Sequence, residues 1–248
     1  MIPDQKQKSI KSAIKKHFNQ YASTNKWSNL YKNEVDDTNI NFYLRLKTFQ
    51  KLLSKIKGKT IVDVGCGTGD YLSIIPEHYK EYLGLDFSKE MIKKAKKNKT
   101  NTKLNKSFRV FDINNHKIQK KFDVVIASGL IEYFTNHDEI IEKLLQLCKT
   151  GGRVIIQYPN KNFYRWKNKK YQKSPGKNFF HNRFSRKEVF EFFKNKTLII
   201  EDLRYYALEL IPHFSNAKLK LLASRLNLIL PEVILNKLAS NFVITIKK

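Results

Sequence analysis

Between residues 63 and 69 the chain reads Asp-Val-Gly-Cys-Gly-Thr-Gly, and twenty-one residues beyond Gly65 stands Asp86. Glycines at alternate positions let a backbone turn sharply and approach a ligand with no Cβ in the way. A helix that follows such a turn points free N–H groups at whatever binds. The spacing here is Gly-x-Gly-x-Gly, so it is not the Gly-x-Gly-x-x-Gly of dinucleotide binding. It also lacks the Lys-Ser/Thr of a nucleotide phosphate loop. Asp86 closes an apolar run, where a carboxylate can accept hydrogen bonds from both hydroxyls of a ribose. A nucleoside without a pyrophosphate satisfies both features.

Such a turn needs a rigid scaffold, and the surrounding sequence supplies its pattern. Short apolar runs at 59–64, 82–86, 108–111, 122–127 and 153–158 have strand length. Helical stretches fall between them: 70–75, cut short by Pro76; 88–98, opened by Ser-x-Glu; and 138–148. In the last, Ile140, Ile141, Leu144, Leu145 and Cys148 recur at helical spacing before Gly151-Gly152. Strands alternating with helices predict an α/β fold, a doubly wound Rossmann-like sheet. A final strand pair at 197–206 and 241–247 brings the sheet to seven strands, with a helical insertion over 207–240 before the last. The chain divides into an N-terminal helical segment (1–57), a core carrying the glycine turn (58–159) and a basic segment carrying the insertion and the strand pair (160–248).

At 248 residues and 41% hydrophobic, the chain suits one domain with a sizeable core. No apolar run approaches the roughly 18 residues that span a bilayer, and the N-terminus lacks the apolar stretch of a secretory signal. A cytoplasmic protein is expected, with peripheral residence at the inner membrane face as a further option. Cys66 and Cys148 read as reduced thiols, too few for a zinc site, and no metal is predicted. The net charge is +26, carried mainly by the flanks; residues 160–187 hold ten Lys or Arg and no acid. Forty Lys against eight Arg, with 24 Ile and 22 Asn, is the usage of AT-biased coding, which accounts for part of that charge. The remainder favours anionic partners.

Residues 58–159 resemble the class I S-adenosylmethionine-dependent methyltransferases. The stretch 61–69 (IVDVGCGTG) is similar to the family's glycine-rich first motif, 83–88 (LGLDFS) to its acidic ribose-binding strand end, and Phe111-Asp112-Ile113 to the segment that faces adenine. The stretches 122–134 (FDVVIASGLIEYF) and 150–159 (TGGRVIIQYP) resemble the fourth-strand motif and the glycine turn into strand five. The resemblance implies S-adenosyl-L-methionine as cofactor. Gly65, Cys66 and Gly67 would contact its methionyl part, with Asp63 orienting the loop or meeting the ammonium through water. Asp86 would bind the ribose, Phe87 and Met91 flank the adenine, Asp112 accept from its amine and Ile113 donate a backbone N–H. Ser128 would stand beside the sulfonium. Cys66 is expected to be a small turn residue, not a nucleophile.

The methyl acceptor is narrowed by exclusion. Ala127-Ser128-Gly129 is not the Asn/Asp-Pro-Pro-Tyr/Phe of base-amine methylation and brings no cysteine for C5-pyrimidine chemistry. The paired acids of arginine methylation and the magnesium carboxylates of catechol enzymes are missing too. What remains resembles the branch acting on small molecules, lipids and glycans, near ubiquinone-type and polysaccharide-cluster methyltransferases. That implies transfer to an O or N atom of a small-molecule, lipid-linked or glycan acceptor, an anionic one among the options. An RNA methyltransferase is the alternative, with Phe163, Tyr164, Trp166 and Tyr171 interleaved among cations; a noncatalytic cofactor-binding module is the third. Candidate general bases are His181, His213, His137 and Glu132, with His181 first. A basic amphipathic helix carrying Ile10, Ala13, Ile14, His17, Phe18 and Tyr21, followed by Trp27 and Tyr31, would fold over the cofactor or pack on the core. In the insertion, Leu219, Leu222, Leu226, Ile229 and Leu230 form an apolar face near Lys218, Lys220 and Arg225, fit for core or dimer packing or for an anionic membrane surface.

Overall fold

The computed structural model describes residues 4–24, 27, 30, 31, 34–100, 103–163, 181–194, 196–210, 216–226 and 229–248. Its centre is a seven-stranded sheet in the order β3-β2-β1-β4-β5-β7-β6. β1 (Thr60–Val64), β2 (Glu81–Asp86), β3 (Asn105–Val110), β4 (Phe122–Ala127) and β5 (Cys148–Pro159) run parallel. β7 (Ala239–Lys247) lies antiparallel between β5 and β6 (Ile199–Leu208). The inner strands are apolar without alternation because helices cover both faces. Ile61, Val124, Ile126 and Ile155 belong to one core with Phe49, Leu52 and Leu53 of α2 (Ile40–Leu53) and Ile92 and Ala95 of α3 (Lys89–Lys96). Val62, Val125, Ala127 and Val154 belong to the other, with Ile140 and Leu144 of α4 (His137–Leu147) and Val189 and Phe193 of α5 (Arg186–Lys194). Strand order reverses beside β1, and the carboxyl ends of β1 and β4 therefore flank a crevice. The long N-terminal helix α1 (Asp4–Ser23) packs against α3.

Three local readings shift. Residues 70–74 form a short 3-10 turn. β3 is longer than its apolar run because it is an edge strand in which only Phe108 is buried, so composition hides its first half. Cys148, read as the last inward residue of α4, instead opens β5 and pairs with Phe122.

The insertion before β7 is helical as expected, with α6 (Ala217–Leu226) and α7 (Glu232–Leu238). Its packed face is only in part the leucine face: Leu230 packs against the core and Leu219 and Leu226 are half-buried, but Leu222 and Ile229 are 57% and 74% exposed, and the buried positions are Ala217, Lys220 and Ala223. The cause is a buried ion pair: Lys220 Nζ lies 3.3 Å from Glu209 Oε1 and donates to Asn41 Oδ1 at 3.0 Å, while the two alanines let α6 lie close. Lys220 is thus internal, not part of a membrane-facing fringe. No described helix is long and apolar enough to cross a membrane.

Candidate functional site

β1 ends in the glycine turn, and the turn's shape demands its composition. Gly65 and Gly67 sit at φ +82° and +54°, a region costly for residues with a side chain. A Cβ on Gly65 would stand 3.0 Å from Leu130 and one on Gly67 2.9 Å from the ring of Trp27. The N–H groups of Gly65 and Cys66 donate to Leu85 O at 2.7 and 3.0 Å, tying the turn to β2. At the end of β2, Asp86 receives Gly67 N–H on Oδ2 at 3.0 Å and Ser88 N–H on Oδ1 at 2.8 Å. Each oxygen keeps acceptor capacity for a further donor. Burial, outweighing those two backbone donors, pushes the Asp86 carboxyl up to about 6.

Over this turn opens a cavity of about 750 Å³ whose wall includes Gly65, Cys66, Gly67, Asp86, Phe87 and Met91. Asp112, Ile113 and Ser128 lie on the same wall. The structure thus brings together nine of the ten residues expected to hold a cofactor. Asp63, the tenth, lies under the turn and off the cavity wall, accepting from Tyr82 Oη at 2.7 Å. Its burial pushes the carboxyl up to about 7. Cys66 is buried, and burial raises its thiol well above the usual range, consistent with a turn residue. Met91 N donates to Ser88 Oγ at 3.1 Å, the cap that starts α3. Asp112 accepts from Asn114 N at 3.1 Å and Asn115 Nδ2 at 2.9 Å, and is ion-paired with Lys11 of α1. Ser128 Oγ accepts from Tyr71 Oη at 2.7 Å.

The N-terminal segment also contributes to the cavity wall. Ile10, Lys11, Ile14, His17 and Phe18 of α1 line it. Phe18 meets Phe87, Trp27 and Tyr133 edge-on, with ring centroids 6.2, 6.1 and 5.4 Å away. Ser88 Oγ donates to Asn19 Oδ1 at 2.6 Å, and Trp27 Nε1 to Asp70 Oδ2 at 3.0 Å. Sequence reasoning missed Asp70, Tyr71 and Arg45. Arg45, on α2, reaches the cavity beside Gly129, where a Cβ would stand 3.0 Å from its Nη1. Its Nε is buried without a hydrogen-bond partner, and among the described residues no carboxylate lies within ion-pair distance of the guanidinium. Asp70 could have been found as the acid directly following the glycine turn. Arg45 had no local signal.

Of the candidate bases, His181 and Glu132 line the cavity, with His181 Nε2 3.8 Å from Glu132 Oε1 and the imidazole edge-on to Tyr133. His137 stands off its wall, against Asp138 and the ring of Phe184. His213 lies outside the described residues, as does most of the basic stretch, including Tyr164, Trp166 and Tyr171. Phe163 is 2% exposed, so it cannot stack on a base. Two cations of that stretch are already paired, Lys161 with Glu188 and Arg186 with Glu232.

A family model described as a methyltransferase domain matches residues 55–210, well over half of the chain. The chain belongs to this methyltransferase family. The ubiquinone biosynthesis O-methyltransferase of Coxiella burnetii is 30% identical over 121 residues, 48% of this chain and 51% of that protein. Malonyl-[acyl-carrier protein] O-methyltransferase 2 of Ilyobacter polytropus is 31% identical over 108 residues, 42% of this chain and 40% of that one. The methyltransferase match thus spans about half the length of such relatives or less. Magnesium protoporphyrin IX methyltransferase from Synechocystis PCC 6803, solved with bound SAH, superposes with a TM-score of 0.66 over 96% of this chain and all of that one, at 14% identity. The methyltransferase fold implied by the sequence motifs is therefore the fold observed.

Proposed function

We propose that the chain transfers a methyl group from S-adenosyl-L-methionine to an O or N atom of a small-molecule, lipid-linked or glycan acceptor. The observation that carries the reading is Asp86, held by two backbone N–H groups on the wall of the cavity, beside a turn whose Gly65 and Gly67 hold left-handed backbone with little room for a Cβ. When bound, the cofactor supplies a sulfonium methyl electrophilic enough for in-line displacement. The residues fit it. Asp86 would accept from the ribose hydroxyls, Gly65, Cys66 and Gly67 present backbone to the methionyl part, and Phe87 and Met91 border the adenine. Ile113 would donate its N–H and Ser128 stand beside the reacting centre. For Asp112 to accept from the adenine amine, Lys11 must share or leave its carboxylate. Arg45, whose Nε is buried without a hydrogen-bond partner, would hold the methionyl carboxylate, to which a guanidinium makes charge-assisted hydrogen bonds.

Residues 1–57 would act as the lid, 58–159 as the cofactor-binding core and 160–248 as the acceptor side. Much of the rate enhancement would come from alignment and exclusion of water by α1. His181 would take the proton that an acceptor hydroxyl or amine gives up, and Glu132, 3.8 Å away, would balance the charge gained by the ring. The relatives' names, a ubiquinone biosynthesis O-methyltransferase and a malonyl-[acyl-carrier protein] O-methyltransferase, support an O-methyl product. A methyl-labelled cofactor incubated with a panel of phenols, carboxylic acids and lipid-linked sugars tests this. Label should pass to one class, and His181→Ala should lower kcat more than it changes cofactor affinity. Tight cofactor binding with no transfer to any class, water included, would favour a noncatalytic module.

A further inference from the structure

The hairpin of α6 and α7 exposes what a soluble surface ordinarily hides. Leu222 is 57% exposed, Ile229 74%, Val233 71% and Ile234 41%, all within thirteen residues of chain. They are exposed because α6 turns Ala217, Lys220 and Ala223 inward and α7 anchors through Leu235. The N–H groups of Ile229 and Leu230 donate to Leu226 O, and those of Ile234 and Leu235 to Pro231 O at the start of α7. Large apolar residues clustered in this way mark interaction surfaces.

The charges around them indicate the partner. Lys218, Arg225 and Lys237 are exposed on the same hairpin. Among the described residues, the hairpin's ion pairs with the rest of the chain are Lys220 with Glu209 and Glu232 with Arg186, and the three exposed cations stand outside them. The hairpin's one acid, Glu232, is thus neutralised from α5. Exposed apolar side chains on one hairpin with three exposed cations, on a chain of net charge +26, match a surface with an apolar interior and an anionic skin.

We propose that the α6–α7 hairpin docks on an anionic lipid surface, Leu222, Ile229 and Val233 entering the acyl boundary while Lys218, Arg225 and Lys237 meet the headgroups. The proposal stands apart from the cofactor assignment, because none of these residues lines the cavity.

The test is co-sedimentation of the full chain with vesicles of phosphatidylglycerol and phosphatidylcholine in equal parts, and with vesicles of phosphatidylcholine alone. Wild type should bind the first far more tightly than the second. The triple variant Lys218→Gln/Arg225→Gln/Lys237→Gln should bind the anionic vesicles on the order of a hundredfold more weakly, at roughly fivefold per headgroup-facing cation. Ile229→Asp/Val233→Asp should also release the protein, and both sites are exposed enough for the variant to fold. Affinity for S-adenosylmethionine should stay unchanged in both variants, so that failure here is separable from failure of the methyltransferase reading. Absence of binding by wild type, or binding that survives both sets of substitutions, would overturn the proposal and leave any lipid affinity to the basic stretch at 160–187. A wild-type dimer converted to monomer by Ile229→Asp would overturn it in favour of a second copy of the chain.

Discussion

Gly67 holds a left-handed backbone while pointing its N–H at Asp86, so two demands meet at one residue. A valine there would strain φ and drive a side chain into Trp27, which sits 2.9 Å from the ideal Cβ position. Gly67→Val should abolish cofactor binding yet leave a cooperative thermal transition; near-normal affinity would place the ligand elsewhere. Arg45 makes a sharper case. Arg45→Gln should weaken S-adenosylmethionine binding by about 1.5–3 kcal/mol, the scale for hydrogen bonds to a charged group. It should not affect 5′-methylthioadenosine, which lacks the carboxylate. Equal losses for both ligands would mean that Arg45 shapes the cavity without meeting that group. The contrast between the two residues shows what a sequence can display. The glycines, Asp86 and Asp112 were legible because each lies at a strand end a few residues from its own motif. Arg45 reaches the cavity only through packing of a distant segment, and no local spacing records that.

The elements were legible where burial is two-sided or periodic. β1, β2 and β4 are continuous apolar runs because both faces are covered, and the inward repeat of α4 is regular. Legibility failed where burial is partial, at the edge strand β3. It failed also at α6, where a lysine occupies an inward position because Glu209 awaits it, so that the most apolar stripe is packed only in part. The lid reading rests on α1 and can be tested there. Phe18 joins the two walls of the cavity through Phe87 and Tyr133, contacts of about 0.5–1.5 kcal/mol each beyond area burial. Phe18→Ala should speed cofactor dissociation in stopped-flow by roughly tenfold or more while lowering the melting temperature little, since the ring is only partly buried. An unchanged off-rate would make α1 a packing element and not a lid.

Across the whole molecule the electrostatics are divided: a surplus of cations outside, and buried carboxylates around the turn. Asp63 is pushed up to about 7 and Asp86 to about 6, both by burial first, above an unfolded value of 3.8. A folded-state pKa raised in this way contributes stability that is complete below the unfolded value and lost as pH rises through the folded one. The protein without cofactor should therefore lose stability between about pH 4 and 7 from these two groups, by up to a few kcal/mol. Asp63→Asn keeps an acceptor for Tyr82 but has no proton to lose. Its stability in denaturant titrations should gain on wild type as pH rises from about 5 to 8; parallel profiles would show that Asp63 is not strained by its burial.

The central claim is that the turn and Asp86 hold S-adenosylmethionine, and calorimetric titration tests it most directly. Above about pH 7, where Asp86 is ionised, wild type should bind one equivalent. Asp86→Ala should lose about 1.5–3 kcal/mol, a ten- to roughly hundredfold weakening. Wild-type affinity should also fall as pH drops below about 6 and Asp86 takes up a proton. A folded Asp86→Ala protein that binds as tightly as wild type, or a wild type that takes up no S-adenosylmethionine at all, would contradict the account.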